Sequence, residues 1–173
     1  GPKGRVFLVN DSLIGPTNPK AFDQLIGMIL DSEIDLVAMT DNHDHGHHLQ
    51  SYFLALSAKA INTSAVKSFF EKIENKNNVA EVVFSYEIPF GSIVQSAGLS
   101  ISIIFPAKTK GDPTLFEAAD LLRRGYPFVK RKCFFAGKQY ANRREILDTA
   151  LRIGCDKPLF DYMVSCMAEE DNA

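Results

Sequence analysis

The chain has 173 residues, 46% of them hydrophobic and 23% charged, with a formal net charge of −2. That profile belongs to a folded globular protein large enough for one domain with a real core, and its near-neutral balance gives no sign of a nucleic-acid partner. No apolar run is long enough to span a bilayer and no secretory signal is visible, while three widely spaced cysteines, Cys133, Cys155 and Cys166, fit reduced thiols in the cytoplasm better than a disulfide framework or a zinc knuckle.

Gly1-Pro2 has the look of a protease scar from an expression tag and is set aside. Val6 to Val9 is a short apolar run ending in Asn10-Asp11-Ser12 and the breaker Gly15-Pro16, which predicts a buried strand. Pro19 to Ser32 has helical apolar spacing, with Asn18 as N-cap and Pro19 at the first helical position. Ile34 to Thr40 reads as a second strand, residues 41–47 as a polar loop, and His48 to Ser57 as a third strand. Thr63 caps a helix with Val66, Phe69, Phe70 and Ile73 on one face. A further helix is expected from about Tyr86 to its C-cap at Gly98, with Pro89 in its first turn. Leu99 to Phe105 is a strand, Pro106 to Pro113 a loop, and Thr114 to Arg124 a helix ended by Gly125. Asn142 to Ile153 is a helix ended by Gly154, and Pro158 to Met167 a last one before an acidic tail, 168–173, that reads as frayed. Strands alternating with helices predict an α/β class and a single domain over 1–173.

Candidate chemistry lies at three places. In open α/β sheets ligands bind beyond the C-terminal ends of strands, so Asn10, Asp11 and Ser12 could hold a divalent cation or a sugar hydroxyl through oxygen; a simple Asx turn would use the same residues. Glu87, in Ser85-Tyr86-Glu87, could be a general base for a hydroxyl, although a helix N-terminus favours an acid there in any case. Asp41, His43, Asp44, His45, His47 and His48 offer imidazole and carboxylate together, which suits zinc. Crowded into one loop, they read first as a polar surface, with a metal-dependent hydrolase as the alternative. The basic residues Arg123-Arg124, Lys130-Arg131-Lys132, Lys138 and Arg143-Arg144 read as a solvated face, with phosphate or acidic glycan as the alternative.

Taken together, these segments resemble the rhamnan synthesis protein F family. Val6 to Pro16 is similar to its "LLNDSVYGP" stretch, and His48 to Leu54 to its "HLQSYFL" block. Phe69-Phe70 is similar to its "FxxFW" helix, Tyr86-Glu87 with Gly98 to its "YE…G" segment, and Gly125 to Lys130 to its "KGFPFIK" block. The blocks are collinear from Val6 to about Lys132.

The resemblance implies a partial A-type glycosyltransferase (Rossmann-like) sheet flanked by helices. The activity it implies is transfer from a nucleotide sugar, dTDP-L-rhamnose in the usual case, to a growing cell-surface polysaccharide or lipid-linked acceptor. Asn10, Asp11 and Ser12 fall at the donor diphosphate motif, with Asp11 as ligand to Mg²⁺ or Mn²⁺; Asn10 departs from a two-carboxylate pattern. Glu87 falls at the catalytic base, and His48, Gln50 and Tyr52 at acceptor contacts. In that fold the nucleotide-binding strands, roughly a hundred residues, precede the acidic motif. The expectation is therefore an acceptor-side portion that lacks them, cytoplasmic and peripheral to the inner membrane face. Its exposed sheet edge would favour a homodimer. A non-catalytic carbohydrate-binding or assembly module that keeps the fold is the alternative.

Overall fold

The computed structural model describes residues 4–135, 140 and 142–168. Gly1-Pro2, Lys138 and the tail from Glu169 lie outside the described residues. In chain order the first elements are β1 (Val6–Val9), β2 (Leu13–Ile14), α1 (Pro19–Asp31), β3 (Leu36–Ala38), β4 (Asp41–Asn42), β5 (His48–Leu49) and β6 (Phe53–Leu56). Next come α2 (Ala58–Asn62), α3 (Ser64–Glu71), and α4 (Val79–Val82), which runs through a π-helical turn (Val83–Glu87) into α5 (Ile88–Ser96). The remainder is β7 (Ile101–Ile103), α6 (Pro113–Phe116), α7 (Ala118–Arg123), β8 (Val129–Lys130), α8 (Lys132–Phe135), α9 (Arg143–Arg152) and α10 (Lys157–Ala168). The class is mixed α/β. The described residues form two compact units, one drawn from 4–10 and 28–110, the other from 11–27 and 111–168.

The first unit is built on a four-stranded sheet of order β1-β6-β3-β7. β6 is antiparallel to both β1 and β3, whereas β3 and β7 are parallel. Antiparallel neighbours need only a short link, and the β4–β5 excursion supplies the one between β3 and β6; the parallel pair needs a crossover, supplied by the helical stretch α2 to α5. β3 and β6 are buried along their whole length, and Leu36, Leu54, Leu56, Val66, Phe90 and Val94 form the core. β1 is an edge strand, not the buried strand expected, and Val9 at its end is 55% exposed. A four-residue apolar run looks the same at a sheet's centre and at its edge. Asp35, just before β3, pins the sheet: its carboxylate accepts from Lys59 Nζ (2.8 Å), Ser57 Oγ (3.1 Å) and the Ser100 amide (3.0 Å).

Two further sequence expectations are corrected in this unit. The strand expected over His48 to Ser57 is two strands, β5 and β6, separated by a turn at Ser51-Tyr52. The helix expected from Tyr86 begins at Val79, where the Asn78 side chain accepts from the Glu81 amide (2.8 Å). Pro89 consequently lies well inside a helix rather than in its first turn. A proline there lacks the N–H that would bond four residues back, and its ring crowds that carbonyl. The π turn immediately before it, closed by Ile88 N–H to the Val83 carbonyl, widens the backbone at that place.

The second unit is mainly helical. Its core joins Leu122, Val129, Phe134, Ile146, Ala150 and Met163. β2 pairs antiparallel with β8, Leu13 opposite Lys130 and Ile14 opposite Val129. The Asn18 cap is as expected, its Oδ1 accepting from the Ala21 amide (3.0 Å). Gly15 is required by a close approach: a Cβ there would sit 2.6 Å from both the Pro127 carbonyl oxygen and the Phe128 ring. Thr17 N–H donates to that same Pro127 carbonyl (2.7 Å).

Candidate functional site

The first unit gathers a polar site around the β4–β5 hairpin and the π turn. Glu87 closes the π turn, and its Oε2 accepts from the Ser51 amide (3.0 Å) and from the Ser51 hydroxyl. The other oxygen, Oε1, lies 3.7 Å from His48 Nε2. The His48 side chain is almost fully buried, while that of Glu87 remains 17% exposed. His48 Nδ1 lies 2.8 Å from the Gly46 carbonyl. A carbonyl only accepts, so Nδ1 carries the hydrogen and Nε2 is the atom turned to Glu87. One carboxylate oxygen is thus fixed by two donors, and the other faces an imidazole nitrogen: a group placed to hold a proton or pass it on. π turns inserted in α-helices are frequent at functional sites.

Two cavities adjoin this pair. One, of 200 Å³, is apolar and has Leu8, Leu54, Phe69, Phe70, Phe90 and Glu87 in its wall. The other, of 270 Å³, takes His47 and His48 into its wall with Gly91, Ser92 and Gln95.

Glu87 and His48, singled out separately in the sequence, come together here. Gln50 and Tyr52 do not join them. Thr40 Oγ1 donates to Gln50 Oε1 (2.6 Å) and is 2.6 Å from the Tyr52 hydroxyl, and all three side chains are buried. Asn10 is exposed and its amide donates to the Tyr52 carbonyl (3.1 Å). Asp11 is exposed, and the Ser12 carbonyl accepts from the Arg131 amide (2.8 Å) within the second unit. The residue that sequence reasoning missed is Ser51, the clamp on Glu87. It lies inside the His48-to-Leu54 block, but nothing local marks it, because its partner is 36 residues away.

The histidine loop also closes on itself. Asp41 Oδ2 lies 2.9 Å from His47 Nε2 and 3.6 Å from His43 Nε2.

A comparison with protein families gives a match to rhamnan synthesis protein F over residues 4–167. The chain belongs to this family. The family's name ties it to the synthesis of rhamnan polysaccharide. Among curated proteins the chain is similar to an uncharacterised protein, y4gN, of Sinorhizobium fredii, with 29% identity over 104 residues. That stretch is 58% of this chain and 27% of the relative, so the chain spans well under half of the relative's length. No solved structure matches. Among the described residues no helix is long and apolar enough to cross a membrane.

Proposed function

We propose that this member of the rhamnan synthesis protein F family takes part in glycosyl transfer, with Glu87 as the base that removes the proton from the acceptor hydroxyl. The observation that carries this reading is the clamping of one Glu87 oxygen by Ser51, which leaves the other facing His48. A general base needs a fixed direction and a partner for the proton it gains, and the Ser51 clamp and His48 supply these. The acceptor oxygen, freed of its proton, attacks the anomeric carbon of a nucleotide-activated sugar, dTDP-L-rhamnose in this reading, and the nucleoside diphosphate leaves. Asp11, with Asn10 and Ser12, would hold the donor side. The donor set is oxygen only, which suits Mg²⁺ or Mn²⁺; such an ion, when bound, offsets charge on the departing diphosphate. The acceptor in this reading is a growing or lipid-linked polysaccharide.

The test is a calorimetric titration of the folded chain with dTDP-L-rhamnose, with and without Mn²⁺. Binding that strengthens with the metal and weakens in Asp11→Asn supports the reading. A chain that binds rhamnan oligosaccharide equally well as wild type and as Glu87→Gln, and never binds the donor, is a carbohydrate-binding module and not a transferase.

A further inference from the structure

We propose that Asp41, His43 and His47 form a binding site for a divalent transition-metal ion, zinc foremost. The proposal rests on these three residues alone and does not depend on the transfer reading. One ligand atom from each lies within 4.8 Å of the other two. Around zinc, bonds of about 2.0–2.2 Å place neighbouring ligand atoms roughly 3.3–3.5 Å apart. The Asp41 Oδ2 to His43 separation of 3.6 Å is already close to that, and the 2.9 Å to His47 needs only a slight opening. The imidazoles can make the adjustment, since both are on the surface (42% and 54% exposed) while the Asp41 side chain is 6% exposed.

The carboxylate is held for this purpose from behind. Asp41 Oδ1 accepts from the Ala107 amide at 2.7 Å, so Oδ2 is the oxygen presented to both imidazoles. A fixed outer partner of this kind orients a ligating carboxylate. The hairpin brings the histidines round: Asp41 pairs with Leu49 and Asn42 with His48, and the chain reverses through His45 (φ +57°) and Gly46 (φ +98°). His43 and His47 end with ring centroids 5.0 Å apart, both Nε2 atoms turned to one oxygen. The loop's other imidazoles are engaged elsewhere. His45 packs on Phe84, with centroids 5.0 Å apart, and His48 is taken by Gly46 and Glu87.

Two imidazoles and one carboxylate suit zinc, cobalt or nickel far better than magnesium, which prefers oxygen alone. Three protein ligands leave a position for water or a solute. An ion there would also tie both ends of the loop between β4 and β5, and so steady the segment that leads into His48 and Ser51.

The test uses tag-free protein stripped with a chelator and titrated calorimetrically with Zn²⁺ in excess Mg²⁺, with Co²⁺ as a visible-absorption probe. The expected result is one Zn²⁺ per chain, and a cobalt spectrum of low-coordinate, nitrogen-containing ligation. His43→Gln and His47→Gln, both surface changes that remove a ligand, should each weaken binding by at least the roughly ten- to a hundred-fold that loss of an outer-shell partner costs, whereas His45→Gln should leave it unchanged. Absence of saturable Zn²⁺ binding overturns the proposal. So does binding that survives both histidine substitutions, or that falls as much in His45→Gln.

Discussion

Replacing Asp35 tests how the sheet beneath the site is held. The carboxylate is buried and accepts from Ser57 Oγ, Lys59 Nζ and the Ser100 amide and hydroxyl, so it ties β3 to the chain entering β7 and to the start of α2. The Lys59 side chain is 67% exposed, so its ion pair is worth less than about 1 kcal/mol. The serine bonds to a charged acceptor contribute about 1 kcal/mol or more each. Asp35→Ala should therefore lose about 2–3 kcal/mol, and Asp35→Asn, which keeps the shape and part of the bonding, about 1 kcal/mol. Burial alone would raise the Asp35 pKa, but hydrogen bonds from Lys59, Ser100 and Ser57 outweigh it and hold the carboxyl below its ordinary value. The native protein thus binds this proton less readily than the unfolded chain does. The stabilisation is present in full above the unfolded value of about 3.9 and is lost as pH falls through the lower native one. Urea unfolding at a series of pH values checks both points. The gap between wild type and Asp35→Asn should be steady from pH 7 to 5 and narrow below about pH 4. A cost under about 0.5 kcal/mol for Asp35→Ala, or a gap that widens in acid, would show that the Asp35 bonds do not hold the sheet.

Phe90→Ala should cost about 3–5 kcal/mol by urea unfolding, because Phe90 is buried against Phe69, with centroids 4.8 Å apart, and enlarging the cavity beside Glu87 leaves nothing to refill it. Burial, with the nearby Asp112 charge, pushes the Cys133 thiol up to about 12. In native protein at pH 8 it should resist alkylation that goes to completion in urea. It also keeps its stabilisation below the free-thiol value of about 8.5 and loses it as pH rises toward 12, by about 1.4 kcal/mol per pH unit; Cys133→Ala should flatten that alkaline limb. Gly15→Ala should lower the thermal midpoint, since its Cβ would meet the Pro127 carbonyl and the Phe128 ring at 2.6 Å.

Local signals in the sequence carried much of the secondary structure. β1 has the expected bounds, Asn18 and Asn142 cap their helices, and Gly98, Gly125 and Gly154 follow helix ends with positive φ. Each of these depends on a few neighbouring residues. What depends on distant partners was not legible. The edge position of β1 is set by its single neighbour β6, and the joining of the Leu13-Ile14 and Val129-Lys130 segments into one ribbon spans more than a hundred residues. The π turn was hidden because Pro89 reads locally as a helix start, not as an interior residue that a widened turn accommodates.

The site shows the same division. Glu87, His48 and the histidine loop stood out by residue type, but the Ser51 clamp that gives Glu87 its direction is a long-range contact. His48, Gln50 and Tyr52 would share one face of an unbroken strand. The turn at Ser51-Tyr52 breaks that alternation, so His48 faces Glu87 while Gln50 and Tyr52 meet Thr40. The histidine loop read as a crowded polar surface; the convergence of Asp41, His43 and His47 follows from the reversal at His45 and Gly46, which spacing alone does not show.

The role of Glu87 is tested most directly by the rate of nucleoside diphosphate release from dTDP-L-rhamnose in the presence of a rhamnan oligosaccharide, compared between wild type and Glu87→Gln. Acceptor-dependent release should fall about 10²- to 10⁴-fold in the variant, with the circular dichroism spectrum unchanged. A Glu87→Gln protein that releases the diphosphate at the wild-type rate would rule Glu87 out as the base.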